Sequence, residues 1–415
     1  MNQETLLPQI DQDAERGVDP HLLHMVELER IARAIDVEDV ILEQMRHAEL
    51  ELTIHLPASQ SDGTAANIST LQCLYSHSSG CITELTIGPD VFLNQVRAAA
   101  YANDLSCALL GLALRGGAAG IICDLSQYSE REMRRLFRGY CQRLRATLPS
   151  FFGFSRVYGG NRAIHDWLGH DLEGVGNGFG AVRQAESQWT LLARWITELI
   201  AAAEQPGLRT YAIQGCTGLG LAIARAVSGG GAAALSGNSG AKVIMMSDAS
   251  GAILNDAGVD VARLESHIQR EQMLFGYSGA EHAYSADLSK CACDVLIMQA
   301  PMQITAANSG QVQAKLIVEC GADSVSQAAK AELAARGIAV IPEVLVRSGL
   351  VLLSAADSAP LPLAESRIRA LLRRTAKKLM PEIYRSAEIW KTDLSRAVLS
   401  LAIERRANQI RCAAM

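Results

Sequence analysis

The sequence predicts an α/β protein in which an N-terminal α/β domain precedes a Rossmann-type, doubly wound parallel-sheet domain. Three observations carry this prediction. A chain of 415 residues is too long for one hydrophobic core, which rarely grows past about 250–300 residues. After residue 209, short apolar strands alternate with helical segments, as strands covered on both faces do. A glycine-rich turn at 214–220 joins the first of these strands to a helix.

The composition is that of a globular chain, with 49% hydrophobic, 20% charged and 5% aromatic residues. A net charge of −6 disfavours a nucleic-acid partner, which would require a basic face. No uncharged apolar run of about 18 residues occurs, so we expect no membrane span, and the polar N-terminus has no signal-peptide pattern. The ten cysteines form no disulfide or metal framework, which is typical of thiols in a reducing compartment. We therefore expect a cytoplasmic protein without a metal.

The N-terminal half contains both helical and strand periodicity. Helical spacing follows Asp19 and Pro20, which suit the N-cap and the first helical position, and it resumes after Pro89. Ser129, with Glu132 three residues later, has the spacing of a capping box at the start of another helix. Alternating apolar and polar residues predict three strands in this half: 49–58, 68–77 and 81–87.

The C-terminal half is predicted to alternate strands with helices and to end in amphipathic helices from Pro362 onward. Its five predicted strands are 210–215, 241–248, 294–298, 314–320 and 338–344. Two segments of the chain lack periodicity. Residues 149–182 are rich in glycine and aromatics and are predicted to form loops around a cleft. Residues 228–240, which are low in complexity, are predicted to form a flexible surface excursion.

The turn at 214–220 has the context that a dinucleotide fingerprint requires, because a strand precedes it and a helix follows. Gly215 and Gly220 occupy the first and third glycine positions, where glycine permits the tight turn and close helix packing. Thr217 takes the second position, with Gly218 beside it. Asp248 ends the next strand, where an acid would bind the adenosine ribose. These residues predict NAD or NADP binding, and the alternative is a turn kept for structural reasons only.

Several blocks of the sequence, in order, are similar to the Glu/Leu/Phe/Val dehydrogenases. They include ELTIHLPASQSDG, IGPDVFLNQVRAAAYANDLSCALLGLALRGGAAGIICD, KVIMMSDASGAILNDAGVD and AKLIVECGADSVSQAAKAELAARGIAVIPEVLVRSG. The resemblance extends from about residue 49 to about residue 406. It implies oxidative deamination of an L-amino acid with NAD or NADP, in a cleft between two domains.

The resemblance also implies a domain organisation. A substrate and oligomerisation domain would comprise residues 1–185 and 355–415, because C-terminal helices return to it. A Rossmann-like dinucleotide-binding domain would comprise residues 186–354. Members of the family assemble through the first domain, so a homo-oligomer or a hetero-oligomer with an active relative is expected.

The same comparison indicates that the catalytic groups of the family are missing. Its G-P-x-K-G-G-I-R motif places Ile82 at the lysine that would hold the substrate carboxylate. Its Gly-Gly-x-Lys-Gly-Gly loop corresponds to 115–120 and places Ala118 at the catalytic lysine. A further substrate lysine falls at Ser106 or Cys107. Tyr158 takes the position of the catalytic aspartate.

Of four further positions that correspond to family binding residues, two differ from the family and two keep a hydroxyl group. Two family asparagines correspond to Ala322 and Arg347. Ser354 stands at a substrate-side serine, and Ser187 stands where the family has a threonine near the nicotinamide. Neither serine performs the chemistry, so the retained positions concern binding only.

The leading hypothesis is a catalytically impaired family member with a regulatory or partner-subunit role, acting through bound nucleotide or a small amino or oxo acid. Amino-acid dehydrogenation needs a cation for the carboxylate, a lysine of lowered pKa and a carboxylate that moves protons. Alanine and tyrosine cannot replace the last two near neutral pH.

The alternative hypothesis is an active NAD(P)-dependent oxidoreductase acting on the CH–NH2 group of an L-amino acid, or on an unusual amino or oxo acid, through a rebuilt site. Arg115 could then bind a carboxylate and His165 could act as a base. Three neighbours complete the candidates for such a site: Arg156, Arg162 and Asp166. A third hypothesis, a pure scaffold, drops nucleotide binding as well.

Overall fold

The computed structural model describes residues 19–59, 63–76, 80–148, 154–160, 162–172, 185–203, 205, 207–229, 240–357 and 363–413. The chain divides by its contacts into two compact units. The first is built on the described parts of Val18–Arg183, Leu350–Ala364 and Leu399–Met415, and the second on those of Gln184–Gly349 and Glu365–Val398. The predicted excursion at 228–240 lies mostly outside the described residues.

A five-stranded sheet forms the centre of the first unit. Its spatial order is β1-β2-β4-β3-β5; β2 pairs antiparallel with both β1 and β4, whereas β3 pairs parallel with both β4 and β5. The strands are β1 Leu50–Ser59, β2 Ala65–Leu74, β3 Cys81–Gly88, β4 Arg115–Ile122 and β5 Arg156–Tyr158. The helices are α1 Pro20–Ala34, α2 Asp39–Arg46, α3 Leu93–Leu109, α4 Glu130–Thr147 and α5 Arg162–Leu172, with a 3-10 turn at Leu125–Gln127. The three strands predicted in this half are confirmed.

Both predicted helix starts are also confirmed. Asp19 accepts a hydrogen bond from the backbone N–H of His21 at 2.9 Å and caps α1, with Pro20 in the first turn. Ser129 and Glu132 form a complete capping box at the start of α4. These caps satisfy backbone donors that the helix itself leaves unpaired.

Helices cover the two faces of this sheet. Phe137 of α4 packs with Leu85 and Ile121 in the main apolar core of the unit. On the opposite face α3 approaches so closely that a Cβ on Gly116 would lie 2.0 Å from the backbone nitrogen of Asp104. Small residues in β4 therefore set the distance between strand and helix.

The second unit contains a seven-stranded sheet in the order β12-β11-β10-β6-β7-β8-β9. The five strands from β12 to β7 are parallel, as predicted, and β8 and β9 add an antiparallel edge that was not predicted. The strands are β6 Thr210–Gln214, β7 Lys242–Asp248, β8 Gly251–Leu254, β9 Glu281–Ala283, β10 Val295–Met298, β11 Leu316–Glu319 and β12 Ala339–Ile341. The helices that follow residue 184 are α6 Ala185–Ala202, α7 Gly218–Ser228, α8 Val261–Glu271, α9 Gln327–Ala335, α10 Glu343–Asp357, α11 Glu365–Trp390 and α12 Leu394–Ala413, with 3-10 turns at Ser285–Lys290 and Ser309–Gln311.

The last two helices belong to different units. In α12, Arg406 donates a 2.7 Å hydrogen bond to the backbone oxygen of Asp104, so the end of the chain returns to the first unit as predicted. Helix α11 instead packs on α6 of the second unit. Its buried stripe, which includes Ile368 and Leu372, accounts for this packing. The contacts thus assign 365–398 differently from the predicted boundary at 355.

Candidate functional site

Strand β4 carries Ala118, which the family resemblance aligns with a catalytic lysine. Ala118 lies in the middle of this strand and is 1% exposed. Its neighbours across the sheet are Cys73 on β2 and Glu84 on β3. The segment 115–120, predicted as a loop from the family motif, is therefore a central strand, because its small residues let α3 pack directly on it. An alanine methyl in this setting supplies packing and no proton chemistry.

Ile82, which the family resemblance aligns with the lysine for the substrate carboxylate, also lies in apolar surroundings. Ile82 is 1% exposed and forms a separate cluster with Cys107 of α3 and Val351 of α10. Burial raises the pKa of the Cys107 thiol well above its ordinary range, so this sulfur is a neutral, unreactive thiol. Ser106, the other candidate for the second lysine position, is buried and donates to the backbone oxygen of Ala102 at 2.8 Å. Neither Ile82 nor Ser106 or Cys107 supplies a cation that could hold a substrate carboxylate.

Tyr158, which the family resemblance aligns with the catalytic aspartate, ends the short strand β5. It pairs with Thr86 of β3. The guanidinium of Arg156 lies 4.8 Å from the centre of the Tyr158 ring, within the range of a cation–π contact. A phenol here cannot act as the carboxylate that the family chemistry requires, because its ordinary pKa is about 10.

His165 lies on α5, within the segment that was predicted to be loops. Helix α5 forms because residues such as Ile164 and Leu168 recur on one face and are buried in the core. The imidazole is half-buried, and burial lowers the pKa of His165, opposed by the charge of Asp166. It is therefore a neutral imidazole at neutral pH. The side chain of Arg162 lies outside the described residues.

Arg115 begins β4 and is engaged by a buried carboxylate. Its Nε donates to Oδ1 of Asp104 at 2.8 Å, and its Nη2 lies 3.4 Å from Oδ2. Its guanidinium also lies over the ring of Tyr75, 5.7 Å from the ring centre. The side chain is 21% exposed. Arg115 is thus a fixed guanidinium at the edge of the core.

The remaining positions taken from the family are distributed over both units. Ser354 is buried on α10, and Ser187 lies on α6 with a side chain outside the described residues. Ala322 is exposed after β11. Arg347 pairs with Glu343 one turn earlier on α10. In the first unit the structure brings Arg115 and Ala118 onto one strand and Tyr158 onto a strand of the same sheet.

The glycine turn of the second unit has the backbone that the fingerprint predicts. Gly215 and Gly218 have φ angles of +91° and +51°, which a side chain would strain. A Cβ on Gly220 would lie 2.1 Å from the backbone oxygen of Gly215. Thr217 is the N-cap of α7, and its side chain makes no capping hydrogen bond. The turn therefore retains the geometry that exposes N–H groups at a helix N-terminus to phosphate.

Asp248 is the last residue of β7, as predicted, but its carboxylate already accepts hydrogen bonds from four donors. Oδ1 accepts from the backbone N–H and hydroxyl of Ser250 at 2.7 and 2.6 Å. Oδ2 accepts from the backbone N–H of Leu274 at 2.9 Å and from the thiol of Cys216 at 3.2 Å. Burial opposes ionisation, yet these hydrogen bonds outweigh it and lower the pKa of Asp248. A ribose hydroxyl would have to displace one of them.

The sequence did not single out Trp189, Asp104 or Arg406. A Cβ on Gly218 would lie 3.4 Å from Nε1 of Trp189, which places the indole beside the glycine turn. Asp104 and Arg406 are both buried and contact each other at 3.0 Å. A signal existed for Asp104, since a carboxylate in an apolar helix needs a partner.

The described part of the chain also offers neither a metal-ligand cluster nor a membrane-spanning helix. No group of three or more His, Cys, Asp or Glu side chains there could hold a metal ion. No helix there has the length and apolarity needed to cross a membrane.

Family models match most of the chain. Residues 209–412 match the model described as Glutamate/Leucine/Phenylalanine/Valine dehydrogenase. Residues 48–151 match the model described as the Glu/Leu/Phe/Val dehydrogenase dimerisation domain. The two matches fall in the second and first halves in the order that the family resemblance predicted.

Individual proteins agree with this assignment. The chain is 25% identical over 393 residues to a catabolic NAD-specific glutamate dehydrogenase of Bacillus subtilis, covering 89% of this chain and 90% of the relative. It is 24% identical over 373 residues to an NADP-specific glutamate dehydrogenase of Synechocystis sp., covering 79% and 80%.

Solved structures share the fold. A hetero-hexameric glutamate dehydrogenase from Thermus thermophilus in a Leu-bound form superposes with a TM-score of 0.82 at 22% identity, covering 96% of this chain and 98% of that one. Plasmodium falciparum glutamate dehydrogenase 2 gives a TM-score of 0.79 at 16% identity, covering 99% and 97%. At these identities the likeness shows the fold alone. With both family models matched in order, the chain belongs to the Glu/Leu/Phe/Val dehydrogenase family.

Proposed function

We propose that this chain is a catalytically impaired member of the family that works as a regulatory or partner subunit beside an active relative. The observation that carries the proposal is the burial of Ala118 and Ile82 at the two lysine positions. Neither position faces solvent, so a substrate amine or carboxylate would find an alkyl group in a packed strand.

The chemistry supports this proposal. A general acid or base typically contributes about 10²–10⁴-fold to a rate, and this chain lacks both the lysine and the carboxylate. A phenol is a far weaker acid than a carboxylic acid, since the ordinary pKa of tyrosine is about 10 and that of aspartic acid about 3.9. The combined loss leaves turnover that we expect to be undetectable beside an active glutamate dehydrogenase.

An assembly role is supported by the first unit. The match at 48–151 is to a dimerisation domain, and the Thermus thermophilus neighbour is hetero-hexameric and binds leucine. We infer that this chain forms a homo-oligomer or a hetero-oligomer with an active relative in the cytoplasm. Its ligand would be a small amino or oxo acid near Ser354 or Arg115.

Nucleotide binding is the second part of the proposal. The turn at Gly215, Gly218 and Gly220 fits the phosphates of NAD or NADP, with Thr217 at the close approach and Ser187 on the nicotinamide side. Asp248 would bind a ribose hydroxyl only after losing one of the four hydrogen bonds that its carboxylate now accepts. We therefore propose weaker nucleotide binding than in active relatives. Trp189, beside the turn, provides a fluorescence signal for that titration.

Turnover is the decisive experiment. NADH and NADPH absorbance would be followed with a panel of 2-oxo acids and ammonia at high protein concentration, with an active glutamate dehydrogenase as control. We expect no rate above a no-protein blank. Saturable turnover by the purified chain would contradict the proposal.

The subunit role needs its own measurement. The chain and an active relative would be co-expressed, and the complex would be sized by chromatography with light scattering. We expect a mixed oligomer whose glutamate dehydrogenase activity differs from that of the active relative alone. A chain that stays monomeric and leaves that activity unchanged would count against this role.

One observation favours the alternative of an active oxidoreductase with a rebuilt site. His165 is a half-buried imidazole whose pKa is lowered by burial, so it is a neutral base at neutral pH. In this reading Arg115 holds the carboxylate of an unusual amino or oxo acid. Turnover that disappears in both His165→Gln and Arg115→Gln would establish the alternative.

A further inference from the structure

Two of the ten cysteines are held together by a tight turn in the second unit. Cys291 and Cys293 lie between the 3-10 turn at Ser285–Lys290 and the start of β10. The backbone N–H of Cys293 donates to the backbone oxygen of Cys291 at 2.9 Å, which closes a γ-turn around Ala292. Because consecutive Cα atoms lie about 3.8 Å apart, such a turn brings the Cα atoms of the two cysteines to about 5.5 Å. A disulfide requires roughly 4.4–6.8 Å between them, so the backbone already suits a bond between the two sulfurs.

The two side chains also contact each other, and both are free thiols. The thiol of Cys293 donates a hydrogen bond to the sulfur of Cys291. Cys293 is 4% exposed and belongs to the main apolar core of the second unit, whereas Cys291 is partly buried and packs against the rim of that core. Ala292, at the tip of the turn, is exposed. A small reagent in solution therefore meets the sulfur of Cys291 first, with the sulfur of Cys293 behind it.

The contact between the thiols divides two chemical roles between them. The hydrogen bond from Cys293 lowers the pKa of Cys291, against the opposing effects of burial and of the charge of Asp256. The pKa of Cys293 is raised, because its proton is held between the two sulfurs and because the thiol is buried. In the first unit, by contrast, burial raises the pKa of Cys73 and that of Cys141 to about 12. Since the thiolate is the nucleophilic form of cysteine, Cys291 is the attacking thiol of the pair and Cys293 is the second, protonated thiol.

The chain that follows the turn is fixed by Asp294. Oδ2 of Asp294 accepts from the backbone N–H groups of Arg209 and Thr210 at 2.8 and 2.9 Å, and Oδ1 lies 2.6 Å from Nζ of Lys315. The backbone N–H of Asp294 donates to the backbone oxygen of Thr210 at 3.0 Å. These contacts join the amino ends of β6, β10 and β11 directly beside Cys293. Because the ends of the turn are already ordered, a bond between the sulfurs costs little further conformational entropy.

We propose that Cys291 and Cys293 are a redox modification site, which a small disulfide such as glutathione disulfide converts to a reversible intrachain disulfide. The thiolate of Cys291 attacks one sulfur of the small disulfide and breaks its S–S bond, and the small thiolate that leaves takes up the proton that Cys291 lost. The sulfur of Cys293 then attacks Sγ of Cys291, and the second small thiol leaves with the proton of Cys293. Two protein thiols are thereby oxidised to one disulfide, while one small disulfide is reduced to two thiols.

This site is separate from the glycine turn. Strands β6 and β10 are parallel neighbours, and the cysteines precede the amino end of β10, whereas Gly215 follows the carboxyl end of β6. The two sites therefore lie at opposite edges of the sheet, and the modification does not depend on nucleotide binding or on the proposed function. In a reducing compartment a disulfide of this kind is usually transient and serves catalysis or redox sensing, which for this chain means a record of the thiol–disulfide balance around it.

Mass spectrometry of the full-length chain tests the proposal. Trypsin cleaves after Lys290 and Lys315, and the peptide between these sites contains Cys291 and Cys293 and no other cysteine. The reduced chain would be equilibrated with glutathione and glutathione disulfide in a series of ratios, quenched with acid, alkylated with N-ethylmaleimide and digested. The variants are Cys291→Ser and Cys293→Ser, with Cys412→Ser as the matched control, because Cys412 is a single exposed thiol on α12. Circular dichroism would verify that each variant is folded.

We expect the native chain and Cys412→Ser to yield the peptide without maleimide, and dithiothreitol added before alkylation to restore both labels. Cys293→Ser should stop at a mixed disulfide between Cys291 and glutathione, and Cys291→Ser should leave Cys293 reduced. The folded chain should form the disulfide at a glutathione disulfide concentration at least tenfold lower than the same chain in urea, because the turn holds the two sulfurs together.

Two maleimide groups on the native peptide, at ratios that already attach glutathione to Cys412, would overturn the proposal. Equal oxidation of the folded and the urea-unfolded chain would also overturn it, since the turn would then contribute nothing. Both outcomes are measured on the native sequence, so a variant that fails to fold does not prevent the decision.

Discussion

A lysine introduced at position 118 tests the proposal that the family's catalytic lysine has been lost from this chain. If the family site persists apart from one side chain, Ala118→Lys should recover some dehydrogenase activity. If the position has become part of the core, the same change should destabilise the first unit. Ala118 is 1% exposed on a central strand beneath α3, so we expect the second result.

The magnitude follows from the packing. Inserting extra methylenes into a packed core costs about 1–3 kcal/mol, and burying an ammonium adds several kcal/mol before any pairing. The carboxylate of Glu84, opposite position 118 on β3, would offset part of this cost by attracting the new ammonium group. We expect a net loss of at least about 3 kcal/mol, a large share of the roughly 5–15 kcal/mol that stabilises a typical domain.

Urea denaturation of Ala118→Lys would be compared with that of Ala113→Lys, since Ala113 is exposed in the connection before β4. We expect the control to match the native chain and Ala118→Lys to unfold at clearly lower urea, with no turnover of 2-oxoglutarate. A stable Ala118→Lys variant with measurable turnover would refute the reasoning, since the position would then open into a working site.

Three further predictions concern the second unit. Gly220→Ala places a Cβ 2.1 Å from a backbone oxygen of its own turn and should cost more than about 2 kcal/mol in urea denaturation, whereas Gly139→Ala, whose Cβ would meet nothing within 4 Å, should be neutral or stabilising. Asp248→Asn replaces one of the two oxygens that together accept from four donors with an NH2 group, and it should cost about 1–3 kcal/mol of unfolding free energy without nucleotide. Unchanged stability with lost NADH binding would instead assign the carboxylate to ribose. Lys330→Met leaves Glu319, its buried partner at 2.9 Å, uncompensated and should cost about 3–5 kcal/mol at pH 8. Burial already raises the pKa of Glu319 against the opposing charge of Lys330, so the folded state of the Lys330→Met variant favours the protonated acid. The loss of unfolding free energy relative to the native chain should therefore be smaller at pH 5, where Glu319 protonates, than at pH 8. An equal loss at both pH values would contradict this reasoning.

Much of the fold could be predicted because its elements follow local rules. The capping box at Ser129 and the N-cap at Asp19 are short-range hydrogen-bond patterns, and the buried parallel strands are continuous apolar runs. The glycine turn could be predicted because Gly215 must adopt a positive φ. These features depend on neighbours within a few residues.

Other features depend on contacts that no local pattern reports. The apolar stripe of α11 shows that one face is buried, but not which unit buries it. The segment 115–120 looks like a loop in a family motif, yet two flanking strands make it the middle of a sheet. Helix α5 was missed because aromatic and glycine residues mask its short apolar face.

The contacts among Asp104, Arg115 and Arg406 show why part of the candidate site could not be predicted from the sequence. Arg406 and Asp104 are 302 positions apart, and each alone has the pattern of an ordinary surface charge. Once folded, they depend on each other, because removing Asp104 would leave two guanidiniums without a counter-ion in a nearly dry site. Arg134 also donates to both carboxylate oxygens of an aspartate, Asp171, and lies over an aromatic ring. Arg115 differs because Arg406, from near the end of the chain, shares the carboxylate of Asp104 with it, and only the three-dimensional arrangement reveals this sharing.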